Sequence, residues 1–344
     1  MSGFGLLIVA VALAAEPVAS QSVESQPVVE PPSELVARVC EAVEQGLEVV
    51  QRGADNYPQN RDCFSCHHQA LPVFATRTVL FGDRDSNTEF VDRQLEFTRD
   101  SFASRLESLR RGKRFGGRAA TASYALWTFH VAGCEPDDVT AALVESLLKT
   151  QESDGRWQPP SRRPPLEESA QMCTTLAVIG LRSFADDDTD DRVTEAVDRA
   201  KSWAESTALE THEDRVGHLW LLTALDPEDA RISSAQDALL SRQREDGGWG
   251  QTDEMDPDAY ATGQAVYVLM QSGLAANHPA VTRGVHFLLD EQEEDGSWHV
   301  VTRSEPVQKW FDNGDPHGED QFISIAATSW ATAALAEWAG QFVP

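Results

Sequence analysis

Uncharged, apolar segments recur along this chain, and a charged amphipathic segment precedes each of them. A helix that is apolar all round must be buried on all sides, whereas a helix with one apolar stripe covers a core. The pattern therefore predicts inner helices and outer helices in alternation. The predicted inner helices are 69–80, 121–134, 169–181, 216–225, 259–274 and 326–335. The predicted outer helices are 34–52, 88–109, 137–150, 192–205, 232–242 and 279–290.

The spacing of the inner segments indicates a repeat. They begin 52, 48, 47, 43 and 67 residues apart, so one helical hairpin recurs six times and the last carries an insertion at residues 299–325. Six hairpins predict an all-α fold, an (α/α)6 toroid over residues 34–344. An open superhelix would need polar end caps, yet the last inner segment is as apolar as the others. A closed ring is therefore favoured.

Three outer helices are predicted to end in nearly identical turns. These turns read QESDGRW at 151–157, QREDGGW at 243–249 and QEEDGSW at 292–298. Asp-Gly makes a tight turn, and the Gln amide and Trp ring can tie each hairpin to the next. The repeated Q-x-x-D-G-x-W resembles the QW motif of squalene-hopene cyclases and protein prenyltransferases, over residues 34–343. The resemblance implies the same toroid and a small apolar or terpenoid-like ligand in its cavity.

The chain also carries the run CFSCHH, which begins at Cys63. Cys-x-x-Cys-His is the sequence that attaches a c-type haem, with Cys63 and Cys66 forming thioethers and His67 binding the iron. Three other interpretations are a dithiol redox pair, a metal site other than haem, and a cysteine pair that binds no cofactor. A dithiol pair usually lies in a βαβ setting, and a zinc site needs two more ligands at related spacing. Neither context is evident, so one covalent haem c is favoured.

Residues near the motif in the predicted ring supply candidate partners for the haem. Loops that lead into inner helices share one end of a toroid, and the first and sixth hairpins are neighbours in a closed ring. His317, in the insertion, is therefore the first choice for the sixth iron ligand; the alternatives are His130, His218, Met172 and an open sixth position. His68 follows the proximal ligand and is expected to form a local hydrogen bond or to contact substrate. Arg114 and Arg118, in a basic loop at the same end, are candidates to bind haem propionates or an anionic substrate. The alternative is a solvated loop that neutralises acidic neighbours.

Resemblance to a narrower group supports the fold and the cofactor. CFSCHHQALPVFA before the first inner helix and FDNGDPHGEDQFIS before the last resemble bacterial single-barrel proteins of this superfamily.

Aromatic residues on the inner helices are candidates for the lining of the cavity, or for packing between helices. They are Tyr124, Trp127, Trp220, Tyr260, Tyr267 and Trp330.

An acid-catalysed alternative depends on Asp258. Class II terpene cyclases carry Asp-x-Asp-Asp at the start of an inner helix, and the middle Asp protonates the substrate. The sequence here is Asp256-Pro257-Asp258-Ala259, so Asp258 matches the acid while Ala259 departs from the motif. Asp at a helix start is also a common N-cap. The zinc ligands of prenyltransferases are not expected, because the fifth and sixth inner segments contain neither Cys nor His.

Other enzymes on (α/α)6 barrels are glycosidases and polysaccharide lyases, which use paired carboxylates or a His/Tyr set around the cavity. The predicted inner helices contain almost none. That alternative therefore depends on loop residues of the insertion, namely Asp312, Asp315, Glu319 and Asp320.

Charge and the N-terminal residues bear on partners and compartment. The net charge of −28 argues against nucleic acid and anionic membranes as partners. Residues 1–20 resemble a secretory signal peptide, with an apolar run too short to span a bilayer, although Lys and Arg are missing from its start. Residues 21–33 resemble a flexible leader. We therefore expect an exported, periplasmic protein without stable membrane insertion.

These observations predict a haem c protein with a redox role, either electron transfer to a partner protein or oxidation of a small apolar substrate. The alternatives are a haem-free terpenoid cyclase-like or prenyltransferase-like enzyme that uses Asp258, and a non-catalytic lipid-binding or interaction module.

Overall fold

The computed structural model describes residues 31–79, 84–113, 117–159, 163–305 and 310–343. The predicted signal peptide and most of the predicted leader lie outside these residues. Within them the chain forms thirteen α-helices and no strand. The helices are α1 (Ser33–Asn56), α2 (Leu71–Thr78), α3 (Arg84–Ala103), α4 (Leu106–Arg110), α5 (Arg118–Val131), α6 (Asp138–Thr150), α7 (Ala170–Phe184), α8 (Asp190–Ser206), α9 (His212–Leu225), α10 (Ile232–Leu240), α11 (Ala259–Gln271), α12 (Pro279–Glu291) and α13 (Gln321–Ala339).

Six of these helices form a closed inner ring. Helices α2, α5, α7, α9, α11 and α13 contact one another in that order, and α13 contacts α2. Helices α1, α3, α6, α8, α10 and α12 surround them, and the short α4 follows α3. The prediction of an all-α (α/α)6 toroid is confirmed.

Small residues allow the inner helices to approach closely. A Cβ at Gly263 of α11 would lie 2.7 Å from the backbone carbonyl carbon of Trp330 in α13. Almost every residue of α13 is buried, which is what a helix that is apolar all round requires.

The three QW turns close the ring as the sequence pattern predicts. In the third, the Gln292 amide donates to the carbonyl of Gly296 at 3.0 Å and to that of Ala42 in α1 at 2.9 Å. The indole of the buried Trp298 donates to the Leu288 carbonyl at 2.7 Å. Gly296 has φ +86°, a conformation that favours glycine. This turn therefore joins the last outer helix to the first.

Several predicted boundaries were wrong. The second outer segment is divided between α3 and α4, and α9 begins at His212 rather than at 216. Helix α13 begins at Gln321, so the insertion ends at Asp320 rather than at 325. Among the described helices, none combines the length and the apolarity that a membrane crossing requires.

Candidate active site at the mouth of the toroid

The Cys63–His68 run leads directly into the first inner helix. Cys66–Ala70 forms one π-helical turn that continues into α2. Ser65 caps this turn, since its Oγ accepts from the backbone N–H of His68 at 3.3 Å. The motif therefore lies at the end of the toroid where the inner helices begin.

Hydrogen bonds link the two histidines to the insertion. Asn313 Oδ1 accepts from the backbone of Asp315 at 2.9 Å, and Asn313 Nδ2 contacts His68 Nε2. The Nδ1 atoms of His67 and His68 lie 2.5 Å apart, and Ser65 Oγ lies 3.0 Å from His67 Nδ1.

Burial keeps both imidazoles neutral. It lowers the pKa of His67 to about 3, with a further contribution from the positive charge of Arg163. Burial, followed by His67, holds the pKa of His68 well below its usual value. His68 also stacks on Tyr57 with ring centroids 4.6 Å apart. It therefore makes the local hydrogen bonds that the sequence suggested.

A histidine ligand binds a metal through an unprotonated nitrogen, so an iron bound to His67 would displace any proton from that nitrogen. Haem c attachment stays a prediction of the motif.

The two motif thiols have different surroundings, and neither forms a disulfide. The Cys63 thiol lies 3.7 Å from the Tyr57 hydroxyl. Burial raises the pKa of Cys66, and the nearby carboxylate of Glu167 raises it further. Cys66 is therefore a neutral thiol at physiological pH.

The described residues of the insertion contact two sides of the mouth of the toroid. On one side, Arg303 donates to Glu168 at 2.9 Å and to Gln251 at 2.7 Å. On the other, Phe311 packs against Tyr57, with centroids 5.9 Å apart. The insertion thus links the third, fifth and first loops of the ring.

His317 lies beside the third QW turn. Its Nε2 lies 2.8 Å from Ser297 Oγ, and its ring stacks on His299 with centroids 4.5 Å apart. The insertion contacts the motif through Asn313, and the Phe322 ring of α13 lies 5.0 Å from that of His67. The role of His317 as an iron ligand stays a prediction.

Only one of the two predicted basic partners, Arg118, lies within the described residues. Arg118 is exposed at the start of α5, and Arg114 lies outside the described residues. The basic side chain whose charge acts on His67 is Arg163, which forms an ion pair with Glu167.

Asp258 is the N-cap of α11. One carboxylate oxygen accepts from the backbone N–H of Ala261 at 2.8 Å, and the other accepts from the Gln251 amide at 2.8 Å. Burial raises the pKa of Asp258 to about 6, against these hydrogen bonds. Both oxygens are engaged as acceptors, so the capping role that the sequence suggested is what the geometry supports.

The buried acid that sequence reasoning missed is Glu213, in the first turn of α9. Its Oε1 accepts from the Tyr260 hydroxyl at 2.6 Å and from the Gln264 amide at 3.4 Å, while Oε2 is buried without a partner. Burial raises the pKa of Glu213 to about 8, so the side chain is a neutral acid at pH 7. The capping box Thr211-x-x-Asp214 is the sequence feature that indicates a helix start before Glu213.

Buried polar atoms on the neighbouring inner helices also have no hydrogen-bond partner. They are Oε1 and Nε2 of Gln171 on α7 and Oε1 of Gln264 on α11. Buried polar groups are almost always paired with protein, water or ligand. Unpaired groups on three adjacent inner helices indicate a polar binding site inside the ring.

An aromatic layer lies farther along the inner helices. Trp330 contacts Phe74, Trp127, Trp220 and Tyr267, with centroid distances from 4.9 to 6.5 Å. Trp220 follows Glu213 by seven residues, about 10 Å along a helix. A pocket of about 450 Å³ opens at the far end, where Trp127, Trp220 and Tyr267 line it.

Comparisons with known proteins agree with this architecture. A family described as squalene-hopene cyclase C-terminal domain matches residues 218–305. A squalene–hopene cyclase of Bradyrhizobium diazoefficiens is 37% identical over 124 residues, which are 31% of this chain and 17% of that protein. A squalene–hopene cyclase of Zymomonas mobilis is 35% identical over 88 residues, 22% of this chain and 13% of that protein. These matches span less than a fifth of the relatives' length.

Solved structures share the fold over most of the chain. The type II terpene cyclase MstE from Scytonema aligns with a TM-score of 0.60 and 12% identity, covering 89% of this chain and 100% of that one. A glycosidase aligns with a TM-score of 0.58 and 14% identity, covering 90% and 99%. The chain thus shares the toroid fold of these solved structures, and its residues 218–305 are similar to the squalene-hopene cyclase C-terminal domain.

Proposed function

We propose that this chain is a terpenoid cyclase-like enzyme in which Glu213 protonates an oxygen atom of a largely apolar substrate. The observation that carries the proposal is the buried, unpartnered Oε2 of Glu213 beside the Tyr260 hydroxyl. The similarity of residues 218–305 to squalene-hopene cyclases supports this class of substrate. So does a terpene cyclase structure that holds geranylgeranyl dihydroxybenzoate.

The hydrogen bonds of Glu213 suit an acid. Oε1 accepts from Tyr260, so the neutral carboxyl keeps its proton on Oε2, where a substrate atom can take it. After transfer, Tyr260 and Gln264 stabilise the carboxylate. A carboxyl with a raised pKa is a weak acid, which favours an oxygen over an isolated double bond as the proton acceptor. The free amide of Gln171 can bind the same polar end of the substrate.

The aromatic layer suits the apolar remainder. When the protonated oxygen leaves its carbon, a neighbouring double bond closes the ring and positive charge passes to another carbon. The faces of Trp127, Trp220 and Trp330 can stabilise that charge by cation–π contact. Loss of a proton to the Glu213 carboxylate, directly or through water, completes the reaction and restores the acid.

The test compares substrates and acids. Purified protein is incubated with squalene, with its terminal epoxide and with geranylgeraniol, and extracts are analysed by gas chromatography and mass spectrometry. We expect cyclised product from an oxygen-bearing substrate and a loss of at least about 100-fold in rate for Glu213→Gln. The matched control is Glu210→Gln, an exposed acid of the preceding loop, which should retain the rate. Equal activity in Glu213→Gln would refute the assignment, and loss only in Asp258→Asn would move the acid to Asp258.

The second candidate is the redox role predicted from the motif, favoured by the unlinked thiols of Cys63 and Cys66. Binding of haem iron by His67 would displace any proton from the ligating nitrogen. The protein is coexpressed with the cytochrome c maturation machinery, and the denatured chain is assayed for a pyridine haemochrome band. A band that disappears in Cys63→Ala/Cys66→Ala supports covalent haem. No band in the wild type, or a band that survives in the double variant, rejects it.

A further inference from the structure

Three potential metal ligands meet where the insertion begins and ends. Glu293 lies in the third QW turn, His299 follows that turn, and His317 precedes α13. One ligand atom from each lies within 4.8 Å of the other two. These residues lie outside the proposed acid site and outside the Cys63–His68 run.

The proton on His317 can be assigned. The Ser297 hydroxyl donates its single hydrogen to Asp295 Oδ1 at 2.5 Å. Ser297 Oγ must therefore accept from His317 Nε2, which lies 2.8 Å away. Neutral His317 then has a free lone pair on Nδ1.

The proton on His299 follows from its carboxylate partner. Asp320 Oδ2 lies 2.9 Å from His299 Nε2, and a carboxylate only accepts. His299 Nε2 therefore donates, and Nδ1 keeps a free lone pair. Metal-binding histidines typically donate their second ring N–H to a carboxylate or another acceptor in this way.

The surroundings offer a further acceptor for a cation. The two imidazole rings are parallel to within 8°, with centroids 4.5 Å apart, so a shared ion requires at least one ring to rotate. Asp315 is only 5% exposed, and its Oδ2 has no hydrogen-bond partner. A buried carboxylate oxygen without a partner is the feature that a bound cation would satisfy.

We propose that Glu293, His299 and His317 bind one divalent transition-metal ion of the Zn²⁺ class. Two imidazoles and one carboxylate form a donor set that zinc accepts, whereas Ca²⁺ and Mg²⁺ prefer oxygen ligands throughout. Three protein ligands leave a fourth position for water. The ion joins the two ends of the insertion and so stabilises it.

The experiment uses the full chain with Cys63→Ser/Cys66→Ser, because the motif thiols could bind zinc themselves. The protein is treated with chelator, dialysed and titrated with ZnCl₂ by calorimetry. We expect one site, a rise in Tm on zinc addition, and visible absorption typical of tetrahedral coordination with Co²⁺. His299→Ala and His317→Ala should each weaken binding by at least about 100-fold, and Asp320→Asn by about 10- to 100-fold.

The matched control is His286→Ala, which removes an exposed histidine of α12 and should leave the affinity unchanged. Circular dichroism of each metal-free variant checks that it is folded. The proposal is overturned if the parent protein binds less than one equivalent of zinc. It is also overturned if a folded His299→Ala/His317→Ala variant binds zinc as tightly as the parent.

Discussion

The Tyr260 hydroxyl of α11 donates a 2.6 Å hydrogen bond to Glu213 Oε1 of α9, and both side chains are buried. The contact joins two neighbouring inner helices and leaves Glu213 Oε2 as the free oxygen. This pair predicts how activity and stability depend on pH. The contacts of Gln292 and Arg303 predict what stabilises the ring and the insertion.

Activity should fall as pH rises through about 8, because burial raises the pKa of Glu213 to about 8 and the reaction needs its protonated form. The measurement is kcat/KM for the active substrate from pH 5 to pH 10. Tyr260→Phe removes a hydrogen bond that stabilises the carboxylate and should shift the alkaline limit upward. A profile that is the same in both proteins would contradict the assignment.

Stability should depend on pH through the same group. Its pKa in the folded protein lies above the value of 4.5 of an ordinary Glu, so its contribution is fully present below pH 4.5 and lost as pH rises towards 8. The free energy of unfolding should lose at most about 1.4 kcal/mol per pH unit from this group. Urea unfolding from pH 4.5 to pH 8.5 should show a smaller loss for Glu213→Gln. An identical pH dependence would show that Glu213 ionises normally.

Replacement of Gln292 should weaken the closure between the last and first outer helices. Gln292→Met removes both donors to the carbonyls of Ala42 and Gly296, at a cost of about 2–3 kcal/mol. Hydrogen exchange should increase in α1. Gln59→Met, at an exposed position, is the control and should cost less than about 0.5 kcal/mol. Equal effects of the two changes would mean that the amide does not hold the ring closed.

Loss of Arg303 should loosen the insertion over the mouth. Arg303→Met removes the contacts to Glu168 and Gln251, and the Arg303 and Glu168 side chains are only 22% and 11% exposed. We expect a cost of about 1–3 kcal/mol and faster hydrogen exchange at residues 300–305. Arg38→Met breaks a pair that is 51% and 67% exposed and should cost at most about 1 kcal/mol. Unchanged exchange at 300–305 would show that Arg303 does not hold this segment.

The positions of the side chains at the mouth were only partly predictable. The capping role of Asp258 follows from its place before an apolar helix. Glu213 was missed because the predicted fourth inner helix began at 216, after the charged first turn of α9. His317 shares an end of the ring with His67, but its distance from that ring could not be read from connectivity.

The sequence by itself determined the toroid. Six apolar segments need six covering helices, and three Q-x-x-D-G-x-W turns supply local hydrogen bonds that join them. Tertiary structure alone decided which polar groups became an acid, a cap or a metal ligand. The partners of His68, His299 and His317 are Asn313, Asp320 and Ser297, and no sequence spacing encodes these contacts. The pKa of Glu213 depends on burial among helices that are distant in sequence.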